Sequence, residues 1–222
     1  MEIITADEGE IFDIELDEDF LRRNRELSLE NRKLLDSKNC RAIDILGSVG
    51  TGKTSLIKLL VRKLKPQYRM AAIAGDLTTE LDATRIVEEG VEVMQINTGK
   101  ECHLDANLLR KALEKLDLEN TDLLFVENVG NLICPGDFPL GSHQRIVMVS
   151  VTEGPYTVIK HPYILMDANL LVINKIDLCR AMGFECDRLR TDALRVNPRL
   201  EVAETNCVTG DGVEKVLDLL QL

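Results

Sequence analysis

Apolar residues in this chain fall into short dense runs separated by amphipathic stretches, a pattern of buried strands alternating with helices. Residues 40–46 read as a buried strand. A helix follows from Ser55 and is closed by Pro66. Residues 70–74 form a second strand ending at Gly75-Asp76, residues 79–89 a helix closed by Gly90, and residues 91–96 an alternating strand. Residues 105–116 are amphipathic, and residues 122–128 are apolar until they end in Glu127-Asn128. Residues 131–142 carry two prolines and two glycines and predict an irregular loop before a strand over 145–151. Residues 153–163 predict a loop or short element, and 168–173 another strand. A helix over 187–196, a strand over 200–204 and a helix over 212–220 complete the chain. The β-α-β alternation implies an α/β fold with a mostly parallel central sheet covered on both faces.

Upstream, Phe20, Leu21, Leu27, Leu34 and Leu35 recur at helical spacing, predicting a helix over 17–38 docked on the domain, since no Pro/Gly linker separates it from Cys40. Residues 1–20 hold nine carboxylates and no base, the composition of a solvated acidic arm. The expected division is an arm and helix over 1–38 and one nucleotide-binding domain over 39–222. Composition narrows the partners. With 27 basic and 38 acidic residues among 222, the net charge of −11 disfavours a broad nucleic-acid or anionic-membrane surface. No apolar run reaches the roughly twenty residues of a membrane span, so a cytoplasmic location is the expectation.

The chemistry begins at Gly47-Ser48-Val49-Gly50-Thr51-Gly52-Lys53-Thr54, which fits G-x-x-x-x-G-K-[ST] between a strand and a helix starting at Ser55. Its backbone amides and the helix N-terminus suit a nucleotide's phosphates. Lys53 is expected to reach the β- and γ-phosphates, and the Thr54 hydroxyl to ligate Mg²⁺. Asn174-Lys175-Ile176-Asp177 fits N-K-x-D after a buried strand, and points to guanine. The Asp177 carboxylate accepts from guanine N1–H and N2–H₂, whereas adenine would oppose it with an acceptor. Asn174 is expected to brace adjoining loops and the Lys175 stem to pack on the base. In the turn after the last strand, Asn206 and Cys207 are further base contacts, with the Cys207 N–H the expected donor to guanine O6. Glu127-Asn128-Val129-Gly130 stands where GTPases place Asp-x-x-Gly, so the Gly130 N–H is expected to sense the γ-phosphate. Glu127, Asp76 and Asp82 are the candidate Mg²⁺ carboxylates, Asp76 having the best topological position.

Cys102, His103 and Cys134 follow strands of the same parallel sheet, so their loops should emerge at one edge. Thiolate and imidazole suit Zn²⁺ and Ni²⁺, provided that Cys102 and His103 lie in a loop. With no C-x-x-C pair to anchor a site, the residue types alone favour Cys102 as a buried thiol, His103 as a local hydrogen-bonder and Cys134 as incidental. A metal reading gains from Cys134 lying four residues beyond Gly130, where a γ-phosphate-responsive loop would carry it along. His143 and His161 read as structural, Cys40 as core, and Cys179 and Cys186 as free thiols in preference to a second metal site.

Together these segments, with Asp82-Ala83, Arg85-Ile86 and residues 99–106 and 127–135, closely resemble the HypB family of hydrogenase nickel-incorporation GTPases, metallochaperones of the SIMIBI class of P-loop GTPases. The resemblance spans about residues 38–222. It implies a three-layer P-loop NTPase fold and Mg²⁺-dependent hydrolysis of GTP to GDP. It also implies a Cys102/His103/Cys134 site for Zn²⁺ or Ni²⁺ near a GTP-promoted homodimer interface. The implied partners are a HypA-like zinc/nickel accessory protein and a hydrogenase large-subunit precursor. Residues 1–38 contain neither Cys nor His, so nickel storage in that arm is not expected. Asn206 and Val208 stand where the family commonly has Ser and Lys. Residue chemistry also admits a urease-type insertion GTPase, or a regulatory GTPase with structural thiols.

Overall fold

The structure is a computed structural model describing residues 14–99 and 101–222, with side chains described from residue 18. Most of the expected acidic arm, and Lys100, lie outside the described residues. Seven strands form one sheet: β1 (Arg41–Gly47), β2 (Met70–Asp76), β3 (Glu92–Asn97), β4 (Leu123–Glu127), β5 (Gln144–Ser150), β6 (Leu170–Asn174) and β7 (Glu201–Thr205). Their order is β3-β2-β4-β1-β5-β6-β7 and every adjacent pair is parallel. The five inner strands are buried on both faces, which is why they appear in the sequence as near-continuous apolar runs, whereas the edge strand β3 is partly exposed and alternates.

On one face, α2 (Lys53–Leu64), α3 (Leu81–Val87) and α8 (Val213–Leu220) cover Ile43, Ile45, Ala72 and Phe125. The other face carries two apolar clusters. One lies under α1 (Ile14–Ser37) and α4 (Ala106–Leu113); the other lies under the one-turn helices α5 (Thr157–Lys160) and α6 (Tyr163–Met166) and the longer α7 (Asp187–Val196). On that same face, β1 contributes the buried Asp44 carboxylate, 3.4 Å from the Arg145 guanidinium of β5. Helix α1 is docked on the sheet: the Asn31 amide donates to the Ala106 and Leu140 carbonyls, and Leu35 is fully buried. His143 accepts from the Ala42 N–H, and His161 lies 2.9 Å from the Thr157 carbonyl, so both serve local structure. The expectation for Cys179 and Cys186 is corrected: with Cα atoms 5.9 Å apart they form a bonded pair. The loop between them folds back, the Phe184 N–H donating to the Cys179 carbonyl, and spacing of this size suits a disulfide.

Candidate functional site

All seven strands point their carboxyl ends at one edge, and β1 lies where connections diverge to either side, the usual place for a ligand crevice in such sheets. A cleft of about 480 Å³ opens there. Residues 48–52 wrap from β1 to α2, whose first amides have no side-chain cap and are available to an anion. Gly52 takes the left-handed conformation, φ 106°, and a Cβ there would lie 2.3 Å from Asn174 Nδ2. Only glycine fits that junction. Lys53 Nζ donates to the Gly47 and Ser48 carbonyls at 3.1 and 3.2 Å, folded back along the loop. Burial lowers its pKa, opposed by the carboxylates of Glu127, Asp82, Glu153 and Asp76. Thr51 Oγ1 donates to the Ser48 carbonyl and stiffens the loop, while Val49, Gly50 and Ser55 line the cleft.

At the other end, Asn174 joins three segments. Its Nδ2 donates to the Thr51 carbonyl, and its Oδ1 accepts from Thr205 Oγ1 and the Cys207 N–H. The amide nominated for guanine O6 is thus engaged by Asn174 here, while Asn206 Oδ1 accepts from the Val208 N–H. Lys175 adopts a left-handed backbone, φ 63°, which turns the chain into the short helical turn Ile176–Leu178. That turn presents Asp177, exposed, beside Lys175, Asn206 and Cys207 at the cleft.

The carboxylates separate by role. The Thr54 hydroxyl lies 2.7 Å from Asp82 Oδ1 and 2.9 Å from Glu127 Oε1. Asp76 lines the same cleft, but its Oδ1 accepts from the Thr78 and Thr79 N–H groups. Burial raises the Asp76 pKa, and those amides more than offset it, holding the carboxyl below its ordinary value. Glu127 is pushed up to about 7, chiefly by burial, with Lys53 opposing and Asp82 adding to the rise. Its Oε2 is buried without a hydrogen-bond partner. A hydroxyl and two convergent carboxylates, one oxygen of them unsatisfied, are donors of the kind that Mg²⁺ takes. Held this close, the two carboxyls are accommodated by the proton that Glu127 retains or by a cation that takes its place.

Cys102, His103 and Cys134 meet beside this cleft, with ligand atoms all within 4.8 Å of one another. The loop after β3 and the 3₁₀ turn Cys134–Gly136 after β4 bring them together, although β2 lies between those strands. Gly75 of β2 permits the crossing: a Cβ there would lie 2.8 Å from the Leu104 side chain. Cys102 Sγ is 2.8 Å from Cys134 Sγ and 3.8 Å from His103 Nδ1. The buried His103 ring stacks on Phe138 at a centroid separation of 3.8 Å. Burial raises the Cys102 pKa, reinforced by Cys134, and burial lowers that of His103 against Glu101, Asp105 and Asp137. A neutral imidazole and two thiols that give up protons on binding form a soft donor set suited to Ni²⁺ or Zn²⁺. Two further residues at this site escape a reading by motif. Asn128 and Asn131 bond the Cys102–Leu104 turn from the strand-end loop, and only the polarity of the run Glu127–Asn131 hints at them in sequence.

Residues 41–204 match the family described as CobW/HypB/UreG, nucleotide-binding domain. The chain is 49% identical over 208 residues to a probable hydrogenase maturation factor HypB of Methanocaldococcus jannaschii, covering 94% of each. Among solved structures it is similar to the hydrogenase maturation factor HypB of Archaeoglobus fulgidus, at TM-score 0.84 and 42% identity over 90% of this chain and 98% of that one. It is equally similar in shape to HypB of Helicobacter pylori in complex with nickel, at TM-score 0.84 and 30% identity over 90% and 94% of the two chains. The parallel sheet, the phosphate loop and these similarities converge: the chain belongs to the HypB family of hydrogenase maturation factors, within the CobW/HypB/UreG group of nucleotide-binding proteins.

Proposed function

We propose that this protein is a GTP-hydrolysing metallochaperone whose nucleotide state controls dimerisation and the affinity of the Cys102/His103/Cys134 site, and which assists nickel insertion into a hydrogenase. The observation that carries the reading is the single loop from Glu127 to Cys134, which begins at the Thr54 hydroxyl in the cleft and ends at a thiol of the metal cluster. In this reading the open amides of α2 hold the phosphates, and Lys53 exchanges the Gly47 and Ser48 carbonyls for phosphate oxygens. Asp177 reads the base. Thr54, Asp82 and Glu127 would hold Mg²⁺, which when bound neutralises phosphate charge; the Gly130 N–H meets the γ-phosphate. Nickel is the cargo, taken by two thiolates and the imidazole, and passed with a HypA-like partner to the hydrogenase precursor.

Guanine specificity and coupling are tested separately. Asp177→Ala should lose most of its preference for GTP over ATP, because the anion that rewards guanine and penalises adenine is gone. Lys53→Ala should abolish hydrolysis. Ni²⁺ titrated into the GDP form and into the form with a non-hydrolysable GTP analogue should give affinities differing about 5–150-fold, with the oligomeric state followed by sedimentation. Equal affinities in the two forms would sink the coupling.

A further inference from the structure

Cys134 travels with the strand-end loop because it is part of it, but Cys102 and His103 belong to a different loop, and something must hold the two together. Asn128 is buried, and its Oδ1 accepts from the Leu104 N–H at 3.0 Å as well as from the Val129 N–H. Asn131 Nδ2 donates to the Cys102 carbonyl at 3.4 Å. The Cys102–Leu104 turn is therefore grasped at both ends by side chains of the loop after β4. The same loop leans on the phosphate loop: the Asn131 N–H donates to the Gly47 carbonyl at 3.1 Å, and a Cβ on Gly130 would lie 3.0 Å from the Val49 backbone nitrogen. Asn128 Nδ2 makes no well-formed hydrogen bond, though it faces the buried Asp44 carboxylate closely enough to favour that group's charged form.

We infer that Asn128 and Asn131 are positioning residues that clamp the Cys102–His103 turn to the loop bearing Gly130 and Cys134, so that the metal ligands from both loops respond together to the nucleotide. The inference rests on the nucleotide-linked metal site proposed above. Asn128 acts through the backbone of the turn, and Asn131 holds the Cys102 carbonyl while lying within reach of the Cys102 thiol, whose charged form it favours. Asn128→Ala and Asn131→Ala, singly and together, are titrated with Ni²⁺ alone, following the thiolate-to-nickel absorbance, in GDP and in a non-hydrolysable GTP analogue. The expected result is that the affinity ratio between the two states, expected at about 5–150-fold in the unaltered protein, falls below about twofold in the double variant. Guanine-nucleotide affinity and the urea unfolding midpoint of Asn131→Ala should stay close to the parent's, which separates positioning from damage to the fold. If Asn128→Ala does not fold, the loss of at least half of the ratio's logarithm in Asn131→Ala carries the test. A parent ratio near one overturns the metal-coupling reading and this inference with it. A clear parent ratio that persists unchanged in the folded variants overturns this inference alone.

Discussion

At the scale of single residues, Glu127 pays for its position. Its pKa of about 7 against an ordinary 4.5 means that the folded chain holds this proton more tightly than the unfolded chain does. The unfolded state therefore binds fewer protons between those values, and stability falls as pH rises from about 4.5 to 7. About 2.5 units correspond to about 3 kcal/mol, since each unit is about 1.4 kcal/mol. Denaturant unfolding of the nucleotide-free protein without divalent cations, followed across pH 5 to 8, should show this decline. Glu127→Gln should remove most of it and stand above the parent near pH 8. A slope unchanged by the substitution would assign the pH dependence elsewhere. The buried, partly unpaired carboxylate has a use despite its cost: it leaves oxygens beside Thr54 that a cation can take without first breaking an ion pair.

Among elements, α1 is the one whose role was least certain from its composition, because its polar residues outnumber its apolar ones. Its spacing of Leu27, Leu34 and Leu35 predicts a helix, and the structure adds what periodicity lacks, namely the Asn24 and Asn31 contacts to the loop around Pro139 and Leu140 and to Ala106. Leu35→Ala should cost about 2–5 kcal/mol, as for other fully buried leucines. It should lower the single unfolding midpoint of the whole domain and not produce a separate early transition. The inner strands were legible because parallel strands covered on both faces are largely apolar, the partly exposed β3 by its alternation, and the phosphate loop and N-K-x-D because their spacing follows from ligand geometry. Contacts between segments distant in sequence were not. Thr54 meeting Asp82 and Glu127, the clamp of Asn128 on Leu104, and the pairing of Cys179 with Cys186 all depend on how loops cross the sheet edge, and no local pattern encodes that. Asp76, ranked first from topology, has an oxygen committed to its own turn, a local Asx geometry that a strand-end aspartate readily adopts.

For the molecule as a whole, the sheet edge that gathers the nucleotide cleft and the Cys/His cluster is also where large apolar side chains stand in water. Val49 is 84% exposed and Ile133 68%, and Leu77 and Leu81 are exposed beside Asp76 and Asp82. Val49 packs against Gly130, so it sits where the phosphate loop meets the strand-end loop. Ile133 immediately precedes the thiol of Cys134. Scattered single exposed hydrophobics are ordinary, but several along one functional edge mark a surface that is covered part of the time. A second copy placed there would bury these side chains over both cleft and metal ligands, in keeping with the GTP-promoted dimer proposed above. Ile133→Asp should therefore weaken dimerisation in the GTP-analogue form by at least about tenfold, since two symmetry-related charges would be desolvated at once. Monomer nucleotide affinity should change little, because Ile133 is not among the residues that line the cleft. If hydrolysis draws on the dimer, the rate per subunit of the parent should rise with protein concentration, while that of Ile133→Asp stays flat at its monomer value over the same range. A dimer unaffected by the charge would move the contact to another face and leave the exposed edge for one of the proposed protein partners.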